Sequence, residues 1–83
     1  MTVRQDPPSF RRIAAGDYES RDGRYRLVRL DGVTPPAWNV EMTADDTLLV
    51  DGAATRRDAV SLFGSWWDVR QSDIRAFIRT VAR

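Results

Sequence analysis

Apolar and polar residues alternate with two different periods along this chain, and the change of period separates a sheet-forming part from a helix-forming part. From Ala37, the run AWNVEM sends Trp38, Val40 and Met42 to one side and Asn39 and Glu41 to the other. That period of two is the mark of a half-buried strand. Upstream, GDYESRDGRYRLVRLDG predicts a β-hairpin, with strands over Asp17 to Ser20 and Arg24 to Leu30. Asp22-Gly23 supplies the positive φ angles of its tight turn. VTPP reads as a rigid connector, TADD as a turn, and Thr47 to Asp51 as a short last strand that Gly52 ends. The sheet thus spans about residues 17–51 and has three or four antiparallel strands.

Before the hairpin, Ser9 can cap a short helical turn whose Phe10, Ile13 and Ala14 share a face and which Gly16 stops. The alternative starts a strand at Ile13 and Ala15. Residues 1–8 are polar, and Pro7-Pro8 favours extended chain, so they read as a flexible arm ahead of a single domain over residues 9–83.

The last third, TRRDAVSLFGSWWDVRQSDIRAFIRTVAR, has helical period. Thr55 with Asp58 is a variant capping box. At about 100° per residue, Ala59, Val60, Phe63, Trp66, Trp67, Ile74, Phe77, Ile78 and Val81 fall in one arc of roughly 120°. Only Arg70 intrudes, and its stem can lie on apolar surface with the charge in water. Val60, Trp67, Ile74 and Val81 also repeat every seven residues. The phase is kept through DVRQSD, which favours one long amphipathic helix over about residues 55–82. Ser72-Asp73 offers a fresh N-cap, so a bend or split near 70–72 is the alternative. The expected architecture is α+β: a small antiparallel sheet packed on a long C-terminal helix.

A geometric problem follows. Such a sheet is about 15–20 Å across, whereas the helix is about 40 Å long at 1.5 Å per residue. The sheet covers Ala59 to about Val69, and Ile74, Phe77, Ile78 and Val81 overhang. Each of these would gain about 1.5–3 kcal/mol on burial. Either Phe10 and Ile13 fold back over the overhang, or a second copy or another protein covers it.

Composition narrows the chemistry. An 83-residue chain has a small core, and with neither cysteine nor histidine it has no disulfide and no common zinc site. Oligomerisation is the remaining staple. With no lysine as well, most general bases, thiol nucleophiles and Schiff-base chemistry are excluded, and no enzyme, cofactor or small-molecule substrate is expected. The first residues lack a signal-peptide core, and no apolar run is long enough to span a membrane, so a cytoplasmic protein is expected.

All thirteen basic residues are arginine and the net charge is +1. Codon usage in a GC-rich genome accounts for such a bias. Where arginines cluster, their planar recognition of phosphate or carboxylate comes into play. Arg24 and Arg26 share a face of the second hairpin strand, near Asn39 and Glu41, and are candidate nucleic-acid contacts with Asn39. The competing reading is a solvated face with a cross-strand Arg26–Glu41 pair. On this strand Val28 and Leu30 fall with Arg24 by alternation, which calls for a bulge near Val28. Arg75, Arg79 and Arg83 form a second row outside the helix, suited to solvent, to an acidic partner surface or to nucleic-acid backbone.

The stretch GRYRLVRLDG…WNVEM…LLVDG…TRRDAVSLF resembles small βββα domains encoded by actinobacteria and their phages, over about Asp17 to Phe63. Some domains of that shape, such as the arm-binding domains of phage integrases, use the sheet to bind DNA. This chain differs in lacking a strongly basic sheet and in its long apolar helix. The expected function is a non-enzymatic interaction module, a small phage or accessory protein that forms a homodimer or binds a host protein. Its expected interface is Trp67, Arg70, Ile74, Phe77, Ile78 and Val81. Nucleic-acid binding through Arg24, Arg26 and Asn39 is the alternative.

Overall fold

The computed structural model describes the backbone of residues 6–81 and the side chains of residues 6–71. Among the described residues, five strands precede one helix: β1 (Phe10–Ala14), β2 (Asp17–Ser20), β3 (Tyr25–Leu30), β4 (Ala37–Met42), β5 (Leu48–Ala53) and α1 (Arg56–Val81). Each strand pairs antiparallel with the next, giving a meander in the order β1-β2-β3-β4-β5. The class is α+β as expected, but the sheet has five strands among the described residues where three or four were expected, because Phe10–Ala14 pairs with β2 as an additional strand. Among the described residues, no helix is long and apolar enough to cross a membrane.

The helical turn expected over Ser9 to Gly16 is instead strand β1. Gly16, at φ 72°, does not end a helix but turns the chain tightly from β1 into β2. Its carbonyl accepts from the Arg29 N–H at 2.9 Å, which ties the turn to β3. Phe10 then faces inward and meets Phe63 edge-on, with ring centroids 5.3 Å apart. A short amphipathic run fits either period, and an available neighbouring strand decides in favour of β. The expected arm over residues 1–8 lies mostly outside the described residues.

Three register shifts shape the sheet. One falls between Arg12 and Ala14 in β1, and the β4–β5 pairing shifts on either side of Val40. The expected bulge near Val28 is absent: β3 and β4 pair without a break from Tyr25–Met42 to Leu30–Ala37. Val28 and Leu30 therefore share the outer face with Arg26. Gly52 does not end β5 either. It takes a left-handed φ of 74° at the second irregularity, and the strand continues to Ala53, which pairs with Trp38 and is buried.

The helix starts as its cap predicts: the Thr55 hydroxyl accepts from the Asp58 N–H at 3.0 Å. Its backbone then runs unbroken to Val81, without the split considered near 70–72. Ala59, Phe63 and Trp67, four residues apart, are buried against Tyr25, Leu27, Val40, Val50 and Ala53 of the sheet. Tyr25 lies at the middle of an aromatic cluster, with centroids 5.0 Å from Phe63, 6.0 Å from Trp66 and 6.2 Å from Trp67. Each well-oriented pair of this kind adds about 0.5–1.5 kcal/mol beyond area burial. The buried stripe is narrower than the arc read from the sequence. Val60 is 43% exposed at one edge and Trp66 half-buried at the other, because a straight helix meets a sheet along a line of residues.

Candidate functional site

The three arginine and asparagine positions singled out for nucleic acid are not brought together. Arg26 lies mid-sheet on the outer face, where its Nε donates to Glu41 at 3.0 Å and its Nη2 makes a closer contact to the same carboxylate. Asp46 is 3.7 Å from that guanidinium. The cross-strand register there reads Arg11–Glu19, Glu19–Arg26 and Arg26–Glu41, an alternation of sign over four strands. Such a face is charge-balanced along its length. The hydrogen bond to Glu41 holds the Arg26 guanidinium above its ordinary pKa, with the carboxylate's charge adding to the effect.

Asn39 is committed to the fold. Its Oδ1 accepts from the Gly52 N–H at 2.7 Å, which satisfies a donor that the β5 irregularity frees from the ladder. Arg24 precedes β3 and leaves the outer face altogether. Its Nε donates to Asp22 at 2.9 Å, and its guanidinium carbon lies 5.3 Å from the Tyr25 ring centroid and 6.0 Å from that of Trp67. It covers the end of the core rather than a nucleic-acid surface.

Of the expected interface residues, Trp67 is a core residue, 6% exposed. Arg70 is exposed and turns back so that its guanidinium carbon is 5.8 Å from the Trp66 centroid. That direction is natural for a helical side chain, which leans toward the N-terminus. Arg70 thus closes the intramolecular core. The side chains of Ile74, Phe77, Ile78 and Val81, and of Arg75, Arg79 and Arg83, lie outside the described residues. Of the two chain segments proposed as a cover for that overhang, Phe10 packs on Phe63 in the first half of the helix, and Ile13 is 52% exposed.

The structure adds a feature that the sequence did not announce. Phe63 and Trp67 meet the sheet at β3, and α1 also packs along β4 and β5, which leaves the inner face of β1 and β2 partly open. Between that face and the first turn of the helix is a cleft of about 390 Å³. Phe10, Tyr18 and Leu27 form its floor, Pro8 one end, and Val60 with Arg56 and Arg57 the helical wall. Arg56 is held over Tyr18: its Nη1 donates to the phenol oxygen at 2.7 Å, and its guanidinium carbon is 5.0 Å from the ring centroid. Tyr18 leans in turn on Trp38, at 6.0 Å between centroids.

One signal for this cleft was present in the sequence. Arg56 and Arg57 open a helix, where the macrodipole disfavours cations by about 0.3–1 kcal/mol each. The rest was not visible, because Phe10 and Tyr18 meet only once β1 is a strand. Among the described residues, no group of three metal-ligating side chains comes together. Comparison of the chain with protein-family models, with curated proteins and with solved structures finds no match.

Proposed function

We propose that this chain is a non-enzymatic interaction protein that self-associates through the C-terminal half of α1. The observation that carries the reading is the length of the helix relative to its support. Among the described side chains Trp67 is the last buried one, and the helical backbone continues from Asp68 to Val81, about 20 Å further at 1.5 Å per residue. By helical spacing, Ile74, Phe77, Ile78 and Val81 fall in the same arc as Ala59, Phe63 and Trp67. A second copy offers the same apolar stripe, and the seven-residue repeat through Val60, Trp67, Ile74 and Val81 suits helix-on-helix packing. The resemblance to small domains of actinobacteria and their phages supports an accessory role.

Sedimentation equilibrium at micromolar to high micromolar concentration tests the proposal. Wild type is expected to associate. Ile74→Asp and Phe77→Asp are expected to be monomeric with an unchanged sheet signal by circular dichroism. A wild type that stays monomeric overturns self-association, and capture of a host protein by wild type but not by Phe77→Asp would then reassign the surface. Nucleic-acid binding has less support, because Arg26 and Asn39 are engaged within the sheet and Arg24 faces the helix. A gel shift at about 50 mM salt, where phosphate contacts are strong, is expected to be negative.

A further inference from the structure

We propose that the open edge of β1, with the cleft beside it, binds an extended acidic peptide that adds to the sheet as a sixth strand. This surface lies at the opposite end of α1 from the self-association surface and does not depend on it.

Three observations converge here. The first is backbone. Among the described residues, β1 has a neighbour on one side only. The Arg21 N–H donates to the Ser9 carbonyl at 3.0 Å, which sets the phase of the β1–β2 ladder. Ser9 and Arg11 then turn their backbone groups toward β2, and Phe10 and Arg12 turn theirs away from it. Those outward donors and acceptors are a template for another strand.

The second is space. An added strand directs alternate side chains to the inner face, next to Phe10 and Tyr18. The adjoining cleft, about 390 Å³ with an apolar floor, can take one large side chain.

The third is charge, and it selects the occupant. Arg12 lies opposite Tyr18 on the inner face, and Arg56 and Arg57 stand across the cleft. Among the described residues none of the three is in an ion pair. Arg21, whose Nε donates to the Ser9 hydroxyl at 3.0 Å, flanks the same edge and is exposed, while Arg11 lies on the other face opposite Glu19. A second copy pairing β1 to β1 would set Arg11 and Arg12 against their own equivalents, which like-charge repulsion disfavours. An acidic strand meets the opposite situation, and arginine suits carboxylates through its paired donors.

The test is a titration of the ¹⁵N-labelled full chain, read by amide chemical shifts, with the capped peptide acetyl-Thr-Glu-Thr-Phe-Thr-Glu-amide, whose Phe and two Glu alternate onto one face. Its counterpart with arginine for glutamate, and phenylacetate, serve as comparison probes. The acidic peptide is expected to move the amides of Phe10 and Arg12 and those around Tyr18, and the basic peptide is not. Arg57→Glu is expected to weaken binding about tenfold. Arg12→Pro removes an outward N–H without breaking a β1–β2 bond and is expected to abolish it. Edge amides unmoved by the acidic peptide at millimolar concentration overturn the proposal, as does equal binding of both peptides. Phenylacetate shifting the cleft while the peptide leaves β1 unmoved overturns it in favour of a small-anion pocket.

Discussion

The hydroxyl of Ser20, 1% exposed, donates to Asp22 Oδ1 at 2.6 Å across the turn that joins β2 to β3. The same oxygen accepts from the buried Tyr25 N–H at 3.0 Å. Asp22 in turn receives the Arg24 N–H at 3.1 Å and the Arg24 Nε at 2.9 Å. One small side chain thus links a tight turn, the first residue of β3 and the arginine that lies over Trp67. Ser20→Ala leaves the Tyr25 N–H buried without that partner, at a cost of about 1–3 kcal/mol. In a domain of this size each kcal/mol lowers Tm by about 4–8 °C. Thermal unfolding followed by circular dichroism measures it, and an unchanged Tm would contradict the role assigned to this hydroxyl.

Asp22 also makes stability depend on pH. Partial desolvation raises its carboxyl pKa, but the hydrogen bonds from Ser20 and Arg24 outweigh that and hold it below the ordinary value. A pKa lower in the folded than in the unfolded state stabilises the fold above the unfolded value, about 3.9, and the contribution is lost as pH falls through the folded one. Asp45 is lowered too, by the Thr47 hydroxyl and N–H, and adds to the same slope. Asp22→Asn is therefore expected to be less stable than wild type near neutrality, with the difference shrinking below about pH 4. Urea midpoints of both proteins across this range test it, and a pH-independent difference would assign the loss to geometry alone.

Phe63 touches Phe10, Tyr25, Trp66 and Trp67 with its ring and is 1% exposed. Phe63→Ala is expected to cost about 3–5 kcal/mol, a large part of the 5–15 kcal/mol typical of a whole domain. Chemical denaturation with near-ultraviolet circular dichroism checks both the cost and the loss of the ordered aromatic signal.

Two glycines are expected to respond in opposite directions. A Cβ on Gly16 would sit 3.3 Å from the Arg29 Cβ at a φ of 72°. Gly16→Ala is therefore destabilising, by about 1–2 kcal/mol for the left-handed backbone, with crowding added. Gly64 lies within α1, and a Cβ there meets nothing within 4 Å. Gly64→Ala is expected to stabilise by about 0.5–1 kcal/mol. Denaturation midpoints of the pair, against wild type, give both signs in one experiment.

Much of the fold was legible in particular residues. Asp17 to Ser20 is the strand that the Asp22-Gly23 hairpin indicated, Ala37 to Met42 the one that its alternation indicated, and Thr55 caps the helix. Val40 faces inward on the side its alternation indicated, and Tyr25 and Leu27 join it there. The cleft was not legible. Its floor joins Phe10 from β1, Tyr18 from β2 and Leu27 from β3, and no local pattern reports which strands become neighbours. The first strand itself was hidden, since FRRIA supports either a helical turn or a strand until β2 is there to pair with it.

Local chemistry settled what depends on a few consecutive residues: the periods, the turn at Asp22-Gly23, the helix cap and the absence of cysteine, histidine and lysine. Long-range packing decided the rest. It placed Arg24 over Trp67 instead of beside Arg26, gave Asn39 to the β5 irregularity, and left Val60 at the rim of the cleft while burying Phe63. The physical reason is common to all three. A period tells which residues share a face, whereas the line along which a helix meets a sheet, and the register between strands, arise from contacts between segments far apart in the chain.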